Sequence, residues 1–246
     1  MLKLLDLFSG IGGFSLAASW TGGIETVAFC EIEPYPQKVL KKNFPGVPIY
    51  DDIRELTAER LRADGIDTVD IITGGDPCQP HSLAGQRKGT EDDRFLWPAM
   101  CKVVREFDPT WIINENVVGS ESNMVLDQKI SDLEAAGYEC QPFDIPACAS
   151  GTRHERRRIF LVAYSKRHGI QGGASKGTEG CKKSREEQLA GLLLFSAQSP
   201  LSISRTYRID DGIPDRIHRN KAIGNSIVPQ VAYPILQAIV DIEVAK

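Results

Sequence analysis

Twice in its first third, this chain runs an apolar stretch straight into glycines. Lys3 to Phe8 ends at Ser9-Gly10-Ile11-Gly12-Gly13, and Val69, Ile71, Ile72 and Thr73 end at Gly74-Gly75, with Pro77 just beyond. Short apolar or β-branched runs bounded by glycine and proline read as buried strands. Further strands are expected at Thr26 to Glu31, Ile49 to Ile53, Trp111 to Asn114 and Ile159 to Ala163. Helical stretches fall between them: from the glycines to about Trp20, Pro36 to Phe44, Arg54 to Arg62, Phe95 to Phe107 and Val125 to Ala136. Strands alternating with helices predict a doubly wound α/β fold with a mostly parallel sheet and one antiparallel edge strand. In such sheets, ligands and reactive groups gather beyond the carboxyl ends of the strands, which directs attention to the loops at 9–13 and 74–82.

The first loop suits a ligand. Glycines at a strand-to-helix turn let a ligand approach the backbone, and the helix that follows aims free N–H groups at a negative group. An acidic residue about 20 positions later, at the tip of the next strand, is placed to accept hydrogen bonds from ribose hydroxyls, and Glu31 occupies that place, with Ile32 beside it. Asp52, at the end of the third expected strand, reads from the residues alone as the N-cap of the helix from Arg54 to Arg62. The second loop, GGDPCQPHS, holds Cys78. A free cysteine is ordinarily a small buried hydrophobe, but Pro-Cys-Gln beside glycines is poor core material. A thiol just past a strand end is reachable.

These pieces resemble the DNA cytosine-5 methyltransferase family. DLFSGIGGF at residues 6 to 14 is similar to its cofactor loop, and GGDPCQPHS to its Pro-Cys loop. Glu115-Asn116-Val117, the run Arg156-Arg157-Arg158 before IFLVA, and GNSIVPQ at 224 to 230 follow in the family's order. The resemblance spans residue 6 to about residue 240. It departs from the family pattern at Arg153, where a proline is usual, and at His81, where a bulky aromatic is often found.

The resemblance implies an S-adenosylmethionine-dependent, Rossmann-like methyltransferase fold. Residues 1–163 and 214–246 would form the catalytic and cofactor-binding domain, and 164–213 a short, irregular target-recognition region. Cys78, Glu115, Arg156 and Arg158 are the implied catalytic residues. Phe8, Gly10, Gly12, Gly13, Glu31, Ile32, Asp52, Ile53, Asn225 and Ser226 would bind S-adenosyl-L-methionine and its product S-adenosyl-L-homocysteine. Gln79, Ser82, Arg94 and Asn116 would touch the substrate, double-stranded DNA. Family members often act beside a cognate restriction endonuclease, and a monomer without a metal is expected.

Chemistry supports the residue types. Carbon 5 of cytosine is a poor nucleophile until a thiolate adds at carbon 6, and cysteine is the side chain best suited to that attack. A carboxyl group at ring nitrogen 3 and a guanidinium at the carbon 2 carbonyl would offset the charge that develops. The target base must leave the stack to be reached.

Composition agrees with a globular protein. The 246 residues, 41% hydrophobic and 25% charged, allow one sizeable core and a small appendage. No apolar run approaches the roughly 18 to 20 residues that cross a bilayer. MLKLLDLFSG turns acidic and glycine-rich too soon for a secretory signal. A cytoplasmic protein without a membrane partner is therefore expected. The six cysteines form no CxxC pair, so neither a zinc site nor a disulfide framework is indicated. Net charge is −4, yet between Arg153 and Lys221 there are 15 Lys and Arg against 7 Asp and Glu, while the rest holds 14 against 26. Phosphate binding follows local charge, so the net value does not exclude a nucleic acid.

Three rival readings remain at this level: an RNA (tRNA) cytosine-5 methyltransferase, an NAD(P)-dependent dehydrogenase built on the glycines and Glu31, and a non-catalytic DNA-binding regulator with a methyltransferase core. The dehydrogenase leaves Pro-Cys-Gln and Glu115 without a role.

Overall fold

The computed structural model describes residues 1–77, 96–118, 122–150, 156–167 and 222–245. Its elements are β1 (Leu2–Leu7), α1 (Gly13–Thr21), β2 (Ile24–Cys30), α2 (Pro34–Asn43), β3 (Ile49–Tyr50), α3 (Ala58–Ala63) and β4 (Ile71–Gly74). They continue with α4 (Trp97–Phe107), β5 (Trp111–Val117), α5 (Ser122–Ala135), β6 (Tyr138–Pro146), a 3₁₀ turn Ala147–Ser150, β7 (Arg157–Ser165) and α6 (Pro229–Val244).

The strands form one seven-stranded sheet in the order β3-β2-β1-β4-β5-β7-β6. β1 to β5 pair in parallel, whereas β7 runs antiparallel to both β5 and β6. The sheet is therefore mostly parallel with one reversed strand, as expected, but that strand lies inside the order and β6 forms the edge. The sequence of strand positions reverses direction at β1 and β4, and a crevice opens there at the carboxyl ends.

Alternation along the strands divides the core. Leu4, Ile24, Ile71, Trp111, Ile113, Phe160 and Val162 pack with Phe14, Ala17 and Ala18 of α1 and with Ile235, Leu236 and Ile239 of α6. Leu5, Leu7, Ile72, Ile112 and Leu161 face the other way, against Leu61 of α3, Met100 and Val104 of α4, and Leu133 of α5. Complete burial of one such aliphatic side chain contributes about 1.5–3 kcal/mol, so two layers of helix are required to cover both faces. The stretch Ala222–Val244 has the length and mean hydropathy, 1.3, of a bilayer-crossing helix. Half of its most apolar window is buried in the protein, as in a core helix.

Several boundaries differ for local reasons. β3 is only two residues long, and α3 begins at Ala58 with Thr57 as its cap, the Thr57 hydroxyl oxygen accepting from the Arg60 N–H at 3.2 Å. Asp52 is therefore not the N-cap of a helix from Arg54. β5 runs on to Val117, which places Glu115 and Asn116 within the strand and not beyond its tip. β6 is a strand that periodicity did not predict, because Pro142 and Pro146 interrupt its pattern. Prolines are tolerated on an edge that donates to one neighbour only. β7 continues through Tyr164 and Ser165, two residues into the expected recognition region.

Candidate active site

A cleft of about 540 Å³ lies along the carboxyl ends of β1, β2, β4 and β5. Phe8, Gly10, Glu31, Ile32, Asp52, Ile53, Glu115, Asn116, Arg158 and Asn225 all line it, as do Gly75, Asp76 and Pro77. Ten of the site residues expected from sequence thus share one cavity, although they are spread over more than 200 positions. Cys78, Gln79, Ser82 and Arg94 lie outside the described residues, with Cys78 bonded to Pro77 in the cleft wall.

At one end the backbone turns sharply. Phe8 has φ 51°, a left-handed value that a residue with a side chain adopts at a cost of about 1–3 kcal/mol. Ser9 anchors this turn, its N–H donating to the Cys30 carbonyl at 3.1 Å while its hydroxyl accepts from the Cys30 N–H at 3.2 Å. Gly10 follows at φ 54°, and a Cβ there would meet nothing within 4 Å, so open space faces the chain where it turns. The Gly10 N–H donates to one Glu31 oxygen at 2.7 Å and the Glu33 N–H to the other at 2.8 Å. Burial pushes the Glu31 carboxyl above the usual carboxylate range, and these two amides pull it back. Gln37 of α2 steadies the strand tip by donating to the Glu31 carbonyl at 2.6 Å and to Asp51 at 2.9 Å. Asp52 is held beside it by Arg54, which keeps the Asp52 carboxyl below its ordinary value.

At the other end, Glu115 projects from β5 and Arg158 from the antiparallel β7, whose register sets Val117 opposite Arg158. Arg158 Nε lies 2.8 Å from Glu115 Oε1, and both side chains are largely buried. Burial raises the Glu115 carboxyl above the usual range, and the guanidinium groups of Arg158 and Arg156 oppose that rise. Gly75 lies close against this group, since a Cβ on it would sit 3.2 Å from Glu115 Oε2 and crowd it. The chain leading to Cys78 therefore passes directly over the carboxyl group.

Four of the expected residues lie outside this cleft. Gly12, Gly13, Arg156 and Ser226 line a separate hollow of about 350 Å³. Gly12, at φ 85°, has no room for a Cβ because it would come within 2.8 Å of the Phe44 ring, and a Cβ on Gly13 would overlap Ile227 at 2.2 Å. Both glycines allow close packing of α1. The Ser226 hydroxyl donates to the Ile227 carbonyl at 3.0 Å. Arg156 donates to the Gly224 and Ser226 carbonyls at 2.8 and 2.6 Å, tying the start of β7 to the segment before α6. Its Nε is buried without a partner among the described residues.

Sequence reasoning missed a buried polar cluster behind the cleft. Lys129 Nζ of α5 lies 2.5 Å from Asp76 Oδ1 and 2.8 Å from Asn114 Oδ1. Asn114 in turn donates to Asp76 at 2.8 Å and to the Gly74 carbonyl at 3.2 Å. A signal was available, since Lys129 falls on the same helical stripe as Leu126, Ile130 and Leu133, where a charge is unusual.

The cavity admits a cofactor of nucleoside size. Its volume lies within the usual range for small-molecule sites. The open backbone at Gly10, the carboxylate of Glu31 and the apolar faces of Phe8, Ile32 and Ile53 match the polar and flat parts of an adenosine-bearing molecule.

The family model for C-5 cytosine-specific DNA methylase matches residues 2–211. The Type II methyltransferase M2.BsuMI of Bacillus subtilis is 33% identical over 170 residues, covering 66% of this chain and 42% of that protein. The Type II methyltransferase M.CviJI of Paramecium bursaria Chlorella virus IL3A is 32% identical, covering 67% and 43%. The chain thus spans about two fifths of the length of the curated relatives it matches. Among solved structures, Spodoptera frugiperda DNMT2 matches with a TM-score of 0.58 at 27% identity, covering 73% of this chain and 54% of that one. A putative DNA modification methyltransferase encoded within an Escherichia coli prophage shares the fold over 98% of this chain and 99% of that one, with a TM-score of 0.68 at 20% identity. With a family model matching from β1 into the region before α6, the chain belongs to the C-5 cytosine-specific DNA methylase family.

Proposed function

We propose that this protein transfers a methyl group from S-adenosylmethionine to carbon 5 of a cytosine flipped out of double-stranded DNA, through a transient bond from Cys78. The observation that carries this reading is the single cleft in which Gly75 to Pro77, immediately before the thiol, face the Glu115–Arg158 pair and continue to Glu31 and Asp52.

Phe8, Gly10, Glu31, Ile32, Asp52, Ile53 and Asn225 would hold the cofactor. When bound, S-adenosylmethionine supplies the electrophilic methyl group. Cys78 as thiolate adds to carbon 6, and the electron pair displaced from the ring moves toward carbon 5 and nitrogen 3. Glu115, whose proton is retained more readily because it is buried, shares that proton with nitrogen 3. Arg158 places a fixed positive charge at the carbon 2 carbonyl. Arg156 supports the segment from Gly224 to Ser226 and so steadies Asn225. Once carbon 5 carries the methyl group, water removes its proton, the double bond re-forms and the sulfur leaves. Asn116, with Gln79, Ser82 and Arg94, would contact the DNA. The region 164–213 would read its sequence, and the basic stretch from Arg153 would neutralise phosphates. A restriction endonuclease of the same specificity fits as a functional partner.

The test is trapping on a duplex with 5-fluorocytosine in place of cytosine, which cannot lose its substituent at carbon 5. The expected result is a denaturation-resistant adduct that needs S-adenosylmethionine and is abolished in Cys78→Ala. Methyl transfer to tRNA alone would select the RNA reading. DNA binding without any adduct would select the regulator.

A further inference from the structure

The buried cluster behind the cleft has a geometry that stability alone does not explain. Both charged side chains are almost wholly enclosed, with 1% of Lys129 and 3% of Asp76 exposed. Lys129 also lies over the Trp97 ring, 5.1 Å from its centre, and Trp97 donates to Asp132 of α5 at 2.8 Å. The cluster therefore joins α4, α5, β5 and the end of β4. Removing two charges from water is costly, and apolar residues of similar volume commonly serve a core at least as well. What a buried pair supplies is direction, because a polar group without its partner is strongly penalised there and only one arrangement satisfies all of them.

The arrangement is specific to the point where the chain leaves the sheet. The Asp76 carboxylate accepts from Lys129 and Asn114, and Asn114 also binds the Gly74 carbonyl, so the backbone on both sides of Gly75 is fixed. Pro77 restricts the next bond, and Cys78 follows. We propose that Lys129 is a positioning residue: through Asp76 and Asn114, its ammonium sets the direction in which the chain departs β4 toward the reactive thiol. The proposal rests on the reading of Cys78 as the nucleophile.

The experiment compares the full-length wild type with Lys129→Met and with the doubly uncharged Asp76→Asn/Lys129→Met. The single variant leaves the Asp76 carboxylate buried without its counter-charge, with only the Asn114 amide donating to it, and is expected to lower Tm. The double variant removes that penalty and decides the matter. It is expected to melt close to the wild type and to bind S-adenosylmethionine within about threefold of it. Its rate of adduct formation on the 5-fluorocytosine duplex should still fall about tenfold or more, since a displacement near 1 Å at a reacting group carries losses of this order. Deuterium uptake at the amides of Gly74, Gly75 and Asp76 should rise in both variants. Recovery of the adduct rate together with Tm in the double variant would show a purely structural role and overturn the proposal, as would unchanged uptake at those three amides. If the wild type forms no adduct, the nucleophile assignment fails, while the uptake measurement still decides whether Lys129 holds this segment.

Discussion

Two glutamates stand at opposite ends of one cleft, and burial raises the proton affinity of both, yet they are held in different ways. Glu31 receives two backbone N–H groups, from Gly10 and Glu33. Glu115 is paired with a side chain, the Arg158 guanidinium. Backbone amides neither titrate nor rotate away, so the Glu31 end is a rigid acceptor suited to holding a ligand. The Glu115 end is built from side chains whose charge and protonation can respond to a bound base. Within a single cavity, the means of attachment matches the two roles proposed for these ends, holding a ligand at Glu31 and exchanging a proton at Glu115.

The largest expected effect comes from Glu115→Gln, which keeps the shape and removes the exchangeable acid. The rate of adduct formation should fall by about 10²- to 10⁴-fold, the usual weight of a positioned acid or base, with cofactor affinity little changed. A matching loss of cofactor binding would erase the distinction between the two ends. Because the raised value of Glu115 is opposed by Arg158, the Arg158→Ala variant should raise it further. The fraction of Glu115 carrying a proton falls as pH rises through that value, so the alkaline limb of the pH–rate profile that belongs to Glu115 should move to higher pH. A limb that moves to lower pH would contradict the pairing.

Glu31→Ala should weaken S-adenosylmethionine binding by roughly ten- to a hundredfold, the scale of one hydrogen-bonded charge, with a smaller change in kcat. Calorimetric titration measures it, and unaltered affinity would remove Glu31 from the ligand site. The smallest effect is expected for Arg54→Ala. Its partner Asp52 lies in the same cleft, but Arg54 is mostly exposed, and such pairs contribute about 0–1 kcal/mol. A shift in Tm of more than a few degrees would show that this ion pair organises the cleft.

Strand ends were legible in sequence because glycine and proline act locally. Gly10 and Gly74-Gly75 mark where β1 and β4 stop, whatever surrounds them, and Glu31 follows at the tip of β2. β6 was illegible because its two prolines deny the pattern of a paired strand, and only its place at the edge accommodates them. The glycines at 12 and 13 read in sequence as a close approach for a ligand, and in the fold the space a side chain would take there is filled by Phe44, Leu40 and Ile227. Their role depends on α2 and on residues more than 200 positions away. Lys129 was passed over for the related reason that its partners, Asp76 and Asn114, belong to other elements.

The chain's own order of residues determined the element types other than β6, the glycine-terminated strand ends and the supply of thiol, carboxyl and guanidinium groups, because these follow from backbone freedom and side-chain chemistry at each position. Only the folded sheet decided that β7 runs backward, bringing Arg158 to Glu115, and that Lys129 reaches beneath the loop before Cys78. Those outcomes depend on which strands become neighbours and which charges are enclosed together, and pairing across space leaves no fixed spacing in a sequence.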